Sequence, residues 1–210
     1  MGLAHWWDET VVPRVIKCCC GQPPVMEIRT EVVPQAHGAV FELGCGGGIN
    51  QTLYDTAQVS SYTGIDPSAK GLEYAREAAM KKGWQAEIVQ ACGEAIPFGD
   101  DRFDTVVCTF TLCSVHDHAR TLSELRRIVK PGGVLLFAEH GRSPDARVAR
   151  MQQRLDPVWR KLAGNCHLSR PIGSAIVQAG FALEPVGARY MDMGPRFVSW
   201  MEWGRAVKAD

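Results

Sequence analysis

From Gly38 onward, apolar residues fall into short runs separated by longer amphipathic stretches. Ala39 to Leu43, Ser61 to Ile65, Ala86 to Val89, Asp104 to Thr109 and Val134 to Ala138 are rich in branched and aromatic side chains and read as strands. Val106, Val107 and Cys108 are apolar at adjacent positions, the mark of a strand buried on both faces. Between the runs, Leu72, Ala75 and Ala79 recur at helical spacing, as do Leu122, Leu125, Ile128 and Val129. Ser68 is placed to cap the first of these helices and Gly83 to stop it. Lys130-Pro131-Gly132-Gly133 is a stop for the second. Strands alternating with helices predict right-handed crossovers and an α/β, Rossmann-like, doubly wound, mostly parallel sheet.

The two ends are less regular. Trp6, Trp7, Val11, Val12, Val15 and Ile16 suit one face of a short helix kinked near Pro13. Pro23-Pro24 interrupts it, and Val25 to Val33 reads as a second helix ending at Pro34. Pro144 to Leu162 reads as a helix interrupted at Pro157, and Ile172 to Ala179 as another with Gly180 past its end. Phe181 to Met191 and Gly204 to Val207 supply two more strands, making a seven-stranded sheet. A chain of 210 residues suits one domain. The expected division is a helical N-terminal cap over 1–37, a core over 38–141, a cap insertion over 142–170, and a closing helix and strands over 171–210.

The chemistry gathers at the strand ends. Glu42 closes the first strand, and Gly44, Gly46 and Gly48 follow in a tight turn where the absent Cβ lets backbone approach a ligand closely. Asp66 closes the second strand, where an acid can accept hydrogen bonds from a ribose. Together they imply a nucleoside-bearing cofactor. The dinucleotide fingerprint needs a third glycine where this chain has Ile49, so a nicotinamide oxidoreductase is disfavoured.

Lys plus Arg and Asp plus Glu both total 23. With no excess cation to neutralise phosphates, a nucleic-acid partner is disfavoured. Arg142, Arg147, Arg150 and Arg154 read as a solvated helix face. The eight cysteines, at 18, 19, 20, 45, 92, 108, 113 and 166, have no C-x-x-C spacing and no paired histidines, so no metal site is expected. Free thiols imply a reducing compartment, the cytoplasm. Met1 to Trp6 is not followed by the apolar core of a signal peptide, and no run reaches membrane-spanning length. Trp6 and Trp7 suit a weak contact with a membrane surface.

Five segments occur in a telling order: Glu42 to Gly48, Asp66, Gly93-Glu94-Ala95-Ile96-Pro97-Phe98, Phe103 to Val107, and Leu125 to Gly133. This set, within Val40 to His140, resembles the ubiquinone/menaquinone-type class I S-adenosylmethionine-dependent methyltransferases. The resemblance implies S-adenosylmethionine as cofactor, held around Glu42, Gly44, Cys45, Gly46, Gly48, Asp66, Pro67, Cys92, Gly93, Glu94, Thr109 and Leu112. The family usually has an Asp where Cys92 stands, so adenine recognition is expected to rest on the backbone of Cys92 and Gly93. Val107 to Val115, Glu139-His140, Leu155 to Trp159 and Asn165 to Arg170 are similar to a narrower branch whose animal members methylate alkyl thiols. That branch implies a small apolar thiol as acceptor. A phospholipid amine or quinone precursor is the alternative, and a non-catalytic cofactor-binding protein a second.

Methyl transfer is an in-line displacement with a neutral thioether as leaving group, so positioning carries most of the chemistry. A base is needed only where the acceptor must lose a proton. His116 beyond strand four and His140 at the end of strand five are the expected catalytic residues, and His167 lies in the cap. Cys113 and Cys166 raise a covalent or redox step that methyl transfer does not need, and packing is their simpler role. Trp6, Trp7, Trp159, Phe197, Trp200 and Trp203 are candidates to line an apolar acceptor pocket.

Overall fold

The computed structural model describes residues 21–184, 187–192 and 194–209. The N-terminal helix expected from Trp6 to Ile16 and the cysteines at 18–20 lie outside the described residues.

Among the described residues, eight strands form the sheet: β1 Gly38–Leu43, β2 Val59–Asp66, β3 Ala86–Gln90, β4 Phe103–Thr109, β5 Val129–His140, β6 Phe181–Leu183, β7 Gly187–Tyr190 and β8 Trp200–Lys208. Their order is β3-β2-β1-β4-β5-β8-β6, with β7 also on β8. The first five run parallel, and β8 turns antiparallel to β5. β6 pairs residues 206–208 of β8 and β7 pairs residues 200–203, so the two lie in line along one edge. Eight strands therefore fill the seven positions expected from the sequence.

The helices are α1 Pro23–Val32, α2 Ala69–Lys82, α3 His118–Ile128, α4 Ala146–Leu162 and α5 Ile172–Gln178. α2 begins where Ser68 Oγ accepts the Gly71 N–H at 3.1 Å and ends at Gly83 with φ +76°. Strand residues alternate between two apolar layers. Phe41, Val106, Leu135 and Phe137 face α3 and α5, while Val40, Val107, Leu136 and Ala138 face α1 and α2.

Two boundaries differ from the sequence reading. The helix expected to reach Lys130 ends at Ile128, and β5 starts at Val129. Phe103 pairs with Val129 while Thr105 pairs with Val134, so Lys130 to Gly133 is a bulge inside the strand. Gly132 at φ +69° makes the turn, and Lys130 Nζ anchors it on Asp104 at 2.6 Å. The second difference is at Pro157, where α4 continues instead of breaking. A proline inside a helix costs about 3 kcal/mol. Opposing that cost, the neighbouring Asp156 carboxylate accepts the Leu168 N–H at 2.5 Å and the Ser169 hydroxyl at 3.1 Å, which ties this turn to the chain beyond the helix.

The register brings Leu43, Ile65 and Cys108 side by side, so the C-terminal ends of β1, β2 and β4 open on one edge of the sheet. That edge depends on α3 being seated. Leu125, fully buried between α3 and the sheet, is the test: Leu125→Ala should lower stability by about 2–5 kcal/mol. Urea denaturation should show a lower midpoint at an unchanged slope. A loss under about 1 kcal/mol would place the residue outside the core.

Candidate active site

The turn after β1 is built by glycine. Gly44 has φ +75° and Gly48 φ +62°, on either side of a single 3-10 turn at Cys45–Gly47. A Cβ on Gly44 would lie 2.0 Å from Thr111 Oγ1, and one on Gly46 would lie 2.5 Å from Asp66 Oδ2. Asp66 accepts the Gly46 N–H at 3.1 Å and the Ser68 N–H at 2.8 Å, lacing the turn to the start of α2. Burial pushes the Asp66 carboxyl above its ordinary range, against the pull of these two bonds.

Beneath the turn, Glu42 is buried at 3 % exposure. It accepts hydrogen bonds from Tyr54 Oη at 2.7 Å, Tyr62 Oη at 2.8 Å and Asn50 Nδ2 at 3.0 Å. Arg29, from α1, is buried beside it and donates through Nη1 to Asn50 Oδ1 and Thr109 Oγ1, each at 2.5 Å. Its guanidinium lies 4.8 Å from the centre of the Phe110 ring. Desolvation raises the Glu42 pKa, while the three hydrogen bonds and the Arg29 charge act the other way.

The loop after β4 is held by four side chains. Phe110 turns it with φ +53°, a strained value for a side chain of that size. Glu139, at the end of β5 and fully buried, accepts the N–H groups of Thr111, Leu112 and Cys113 at 2.9, 2.8 and 3.1 Å. Arg170 donates to the carbonyls of Leu112 and Val115, both at 2.6 Å. Glu94 Oε1 accepts the N–H groups of His116 at 2.8 Å and Asp117 at 3.0 Å. From the segment after α4, Asn165 at φ +63° donates to the Ser114 carbonyl at 2.7 Å.

These elements surround a cavity of about 370 Å³. Of the residues expected at the site, Glu42, Gly44, Cys45, Gly46, Asp66, Pro67, Cys92, Gly93, Glu94, Thr109 and His116 line it. Gly48, Leu112 and His140 do not come to its surface. A Cβ on Gly48 would meet Ala78 of α2 at 2.7 Å, Leu112 is buried in the core, and His140 is buried with Nδ1 3.7 Å from Cys166 Sγ. His167 Nδ1 lies 3.3 Å from Asp156. The expected aromatic lining is also elsewhere. Trp159 packs edge-on against Phe197, Trp200 against Tyr190, and Trp203 Nε1 donates to Glu31 at 2.6 Å. Trp6 and Trp7 lie outside the described residues.

Sequence reasoning gave no role to Arg29, Asn50, Glu139, Asn165 or Arg170, although the last three stand in the segments of the narrower resemblance. Two left a signal. Arg29 is a charge on the apolar face of α1 formed by Val25, Ile28 and Val32, and Glu139 ends a buried strand just as Glu42 does.

A family model described as a methyltransferase domain matches residues 41–137. Rat thiol S-methyltransferase TMT1B is 33% identical over 178 residues, which is 80% of this chain and 70% of that protein. The ubiquinone biosynthesis O-methyltransferase of Nitrosomonas europaea is 30% identical over 146 residues, 67% of this chain and 59% of that protein. The solved structure of N-methyltransferase NodS from Bradyrhizobium japonicum with S-adenosyl-L-homocysteine overlays with a TM-score of 0.70 at 13% identity, covering 99% of this chain and 97% of that one. The chain belongs to the class I S-adenosylmethionine-dependent methyltransferases, and S-adenosylmethionine is its cofactor.

Gly46→Ala tests the cradle. The added methyl must displace the Asp66 carboxylate while the backbone at 46 stays unstrained. The variant should fold with an unchanged circular dichroism spectrum and bind S-adenosylmethionine at least about tenfold more weakly by calorimetry. Unaltered affinity would mean that the ligand does not rest on this turn.

Proposed function

We propose that this methyltransferase methylates a small apolar thiol. In this reading, Asp66 takes the hydroxyls of the cofactor ribose, and the Gly44 to Gly47 turn lies against its methionine portion. Arg29 faces the carboxylate of that portion, and the backbone of Cys92 and Gly93 flanks the adenine. The residues suit such a ligand: a floor without Cβ atoms, a buried cation at one end, and an acid whose partners are backbone N–H groups. The cofactor supplies a methyl group on a sulfonium, whose departure as a neutral thioether needs no proton.

The thiol assignment rests on how the carboxylates of the cavity are engaged. Glu42 is held by two tyrosines and Asn50, Asp66 by two N–H groups, and Glu94 by the N–H groups of His116 and Asp117. Glu139 is spent behind the wall on the loop after β4. A site so arranged suits an acceptor that ionises by itself. A thiol, with pKa about 8.5, is partly ionised at neutral pH, whereas a phenol near 10 needs a base. The relatives named as thiol S-methyltransferases support the same choice. Phe110, Val115 and the cap residues Gly164 and Asn165 form the acceptor side, with 142–170 as the substrate cap. His116, the lining histidine, orients the acceptor. His140 supports the wall through Cys166.

S-adenosylhomocysteine release should be rapid with an alkyl thiol or sulfide and absent with phosphatidylethanolamine or a quinol. In a series of thiols, the rise of kcat/KM with pH should follow each thiol's own pKa. A break at one fixed pH for every acceptor would overturn the self-ionising acceptor and point to His116 as base. Turnover confined to the lipid or the quinol would overturn the thiol.

A further inference from the structure

Behind the wall made by Ser114 and Asn165 lie two thiols that methyl transfer does not use. Cys113 is buried on the loop after β4, and Cys166 is partly exposed on the segment after α4. Each thiol acts on the other's titration, and Cys113 Sγ lies 3.5 Å from Ser114 Oγ on the neighbouring residue. The His167 N–H donates to the Cys113 carbonyl at 2.8 Å, so the two backbones run side by side there. That bond sets Cys113 and Cys166 on directly neighbouring stretches of backbone, the arrangement a disulfide requires. His140 Nδ1 lies 3.7 Å from Cys166 Sγ, and its Nε2 is buried with no hydrogen-bond partner among the described residues. The charge of Arg170 acts on both sulfurs.

We propose that Cys113 and Cys166 form a redox-active pair that exchanges with small disulfides, the oxidised form of a thiol acceptor, and so cross-links the loop after β4 to the cap. The identity of the oxidant rests on the thiol reading above; the pair itself does not. The Cys166 thiolate attacks one sulfur of the small disulfide, forming a mixed disulfide and expelling one thiolate. Cys113 then loses its proton and attacks the Cys166 sulfur, expelling the second. Two protein thiols are oxidised, and one small disulfide is reduced to two thiols that carry away the two protons.

The order of attack follows from the surroundings. Hydrogen bonds from Cys113 and His140 hold the Cys166 thiol well below its ordinary range, and Cys166 is the more exposed of the two. The Cys113 thiol is pushed well above its range, first by its hydrogen bond to Cys166 and then by burial, which suits the resolving partner. Burial first, and neighbouring carboxylates second, push the Cys45 and Cys108 thiols up, and Cys92 stands apart at the cavity rim. A sulfur–sulfur bond of about 2.05 Å is shorter than a thiol hydrogen bond. Closing it pulls the next residues along the chain, Ser114 and Asn165, toward each other at the acceptor side.

The 210-residue chain, incubated with excess bis(2-hydroxyethyl) disulfide, acid-quenched and digested, should yield a peptide pair joined at Cys113 and Cys166 that weighs about 2 Da less than the two free peptides. The oxidised protein should show a several-fold higher KM for the acceptor thiol. Its S-adenosylmethionine affinity should stay within about twofold, and dithiothreitol should reverse the change. Cys113→Ser should trap the reagent as a mixed disulfide on Cys166, and Cys166→Ser should form neither product. Cys113 and Cys166 recovered in separate peptides, or either of them cross-linked to a different cysteine, would overturn the pair. A cross-link with unaltered acceptor kinetics would overturn its control of the site. A cross-link in a protein that does not methylate thiols would leave the cysteine pair standing and remove the acceptor assignment.

Discussion

The carboxylate of Glu139 is the interaction on which the site depends. Where a parallel strand ends, its neighbour's chain must leave the sheet, and the N–H groups of the departing loop lose their ladder partners. Glu139 accepts three of them in succession from Thr111, Leu112 and Cys113. The acid is fully buried, and its desolvation is opposed by these bonds and by the Cys108 thiol. Removing it would orphan three donors at once. Arg170 satisfies the same loop from the carbonyl side, so the segment that walls the cavity is fixed along both edges of its backbone.

Glu42 applies the same device one strand over, with a different emphasis. Its partners are side chains, two tyrosines and Asn50, and they gather β1, β2 and the turn into one network. Arg29 joins that network through Asn50 and Thr109 and brings a positive charge from a helix that precedes the sheet in the chain. The cavity thus carries buried charge of both signs, each charge held by hydrogen bonds. Charges held in this way need little reorganisation when a charged ligand arrives.

Two segments distant in sequence meet at one wall of the cavity. The loop after β4 and the segment after α4 are joined by Asn165 to Ser114, by His167 to Cys113, and by Arg170 to Leu112. These contacts fix the shape of the wall. They also put Cys113, Cys166 and His140 in one cluster, from three places far apart in the chain.

The local pattern alone determined much of the protein. Period-two alternation in Val40-Phe41 and Leu135-Leu136 marks strands with two covered faces, and Ser68 and Gly83 mark the ends of α2, because both signals depend only on neighbouring residues. Glu42, the glycine turn and Asp66 were legible for the same reason: strand end, turn and acid are adjacent in sequence. The bulge at Lys130 to Gly133 read as a helix stop, since nothing local reveals that β4 lies beside it. Pro157 read as a break, since the tethers of Asp156 come from residues beyond the helix. The roles of Arg29 and Arg170 could not be read locally, because Arg29 reaches Thr109 and Arg170 reaches Leu112, each more than fifty residues away. Whether His116 or His140 reaches the cavity was likewise a tertiary decision: both follow strand ends, but the loop that Glu139 holds in place carries His116 to the opening, while His140 stays in the sheet against β8.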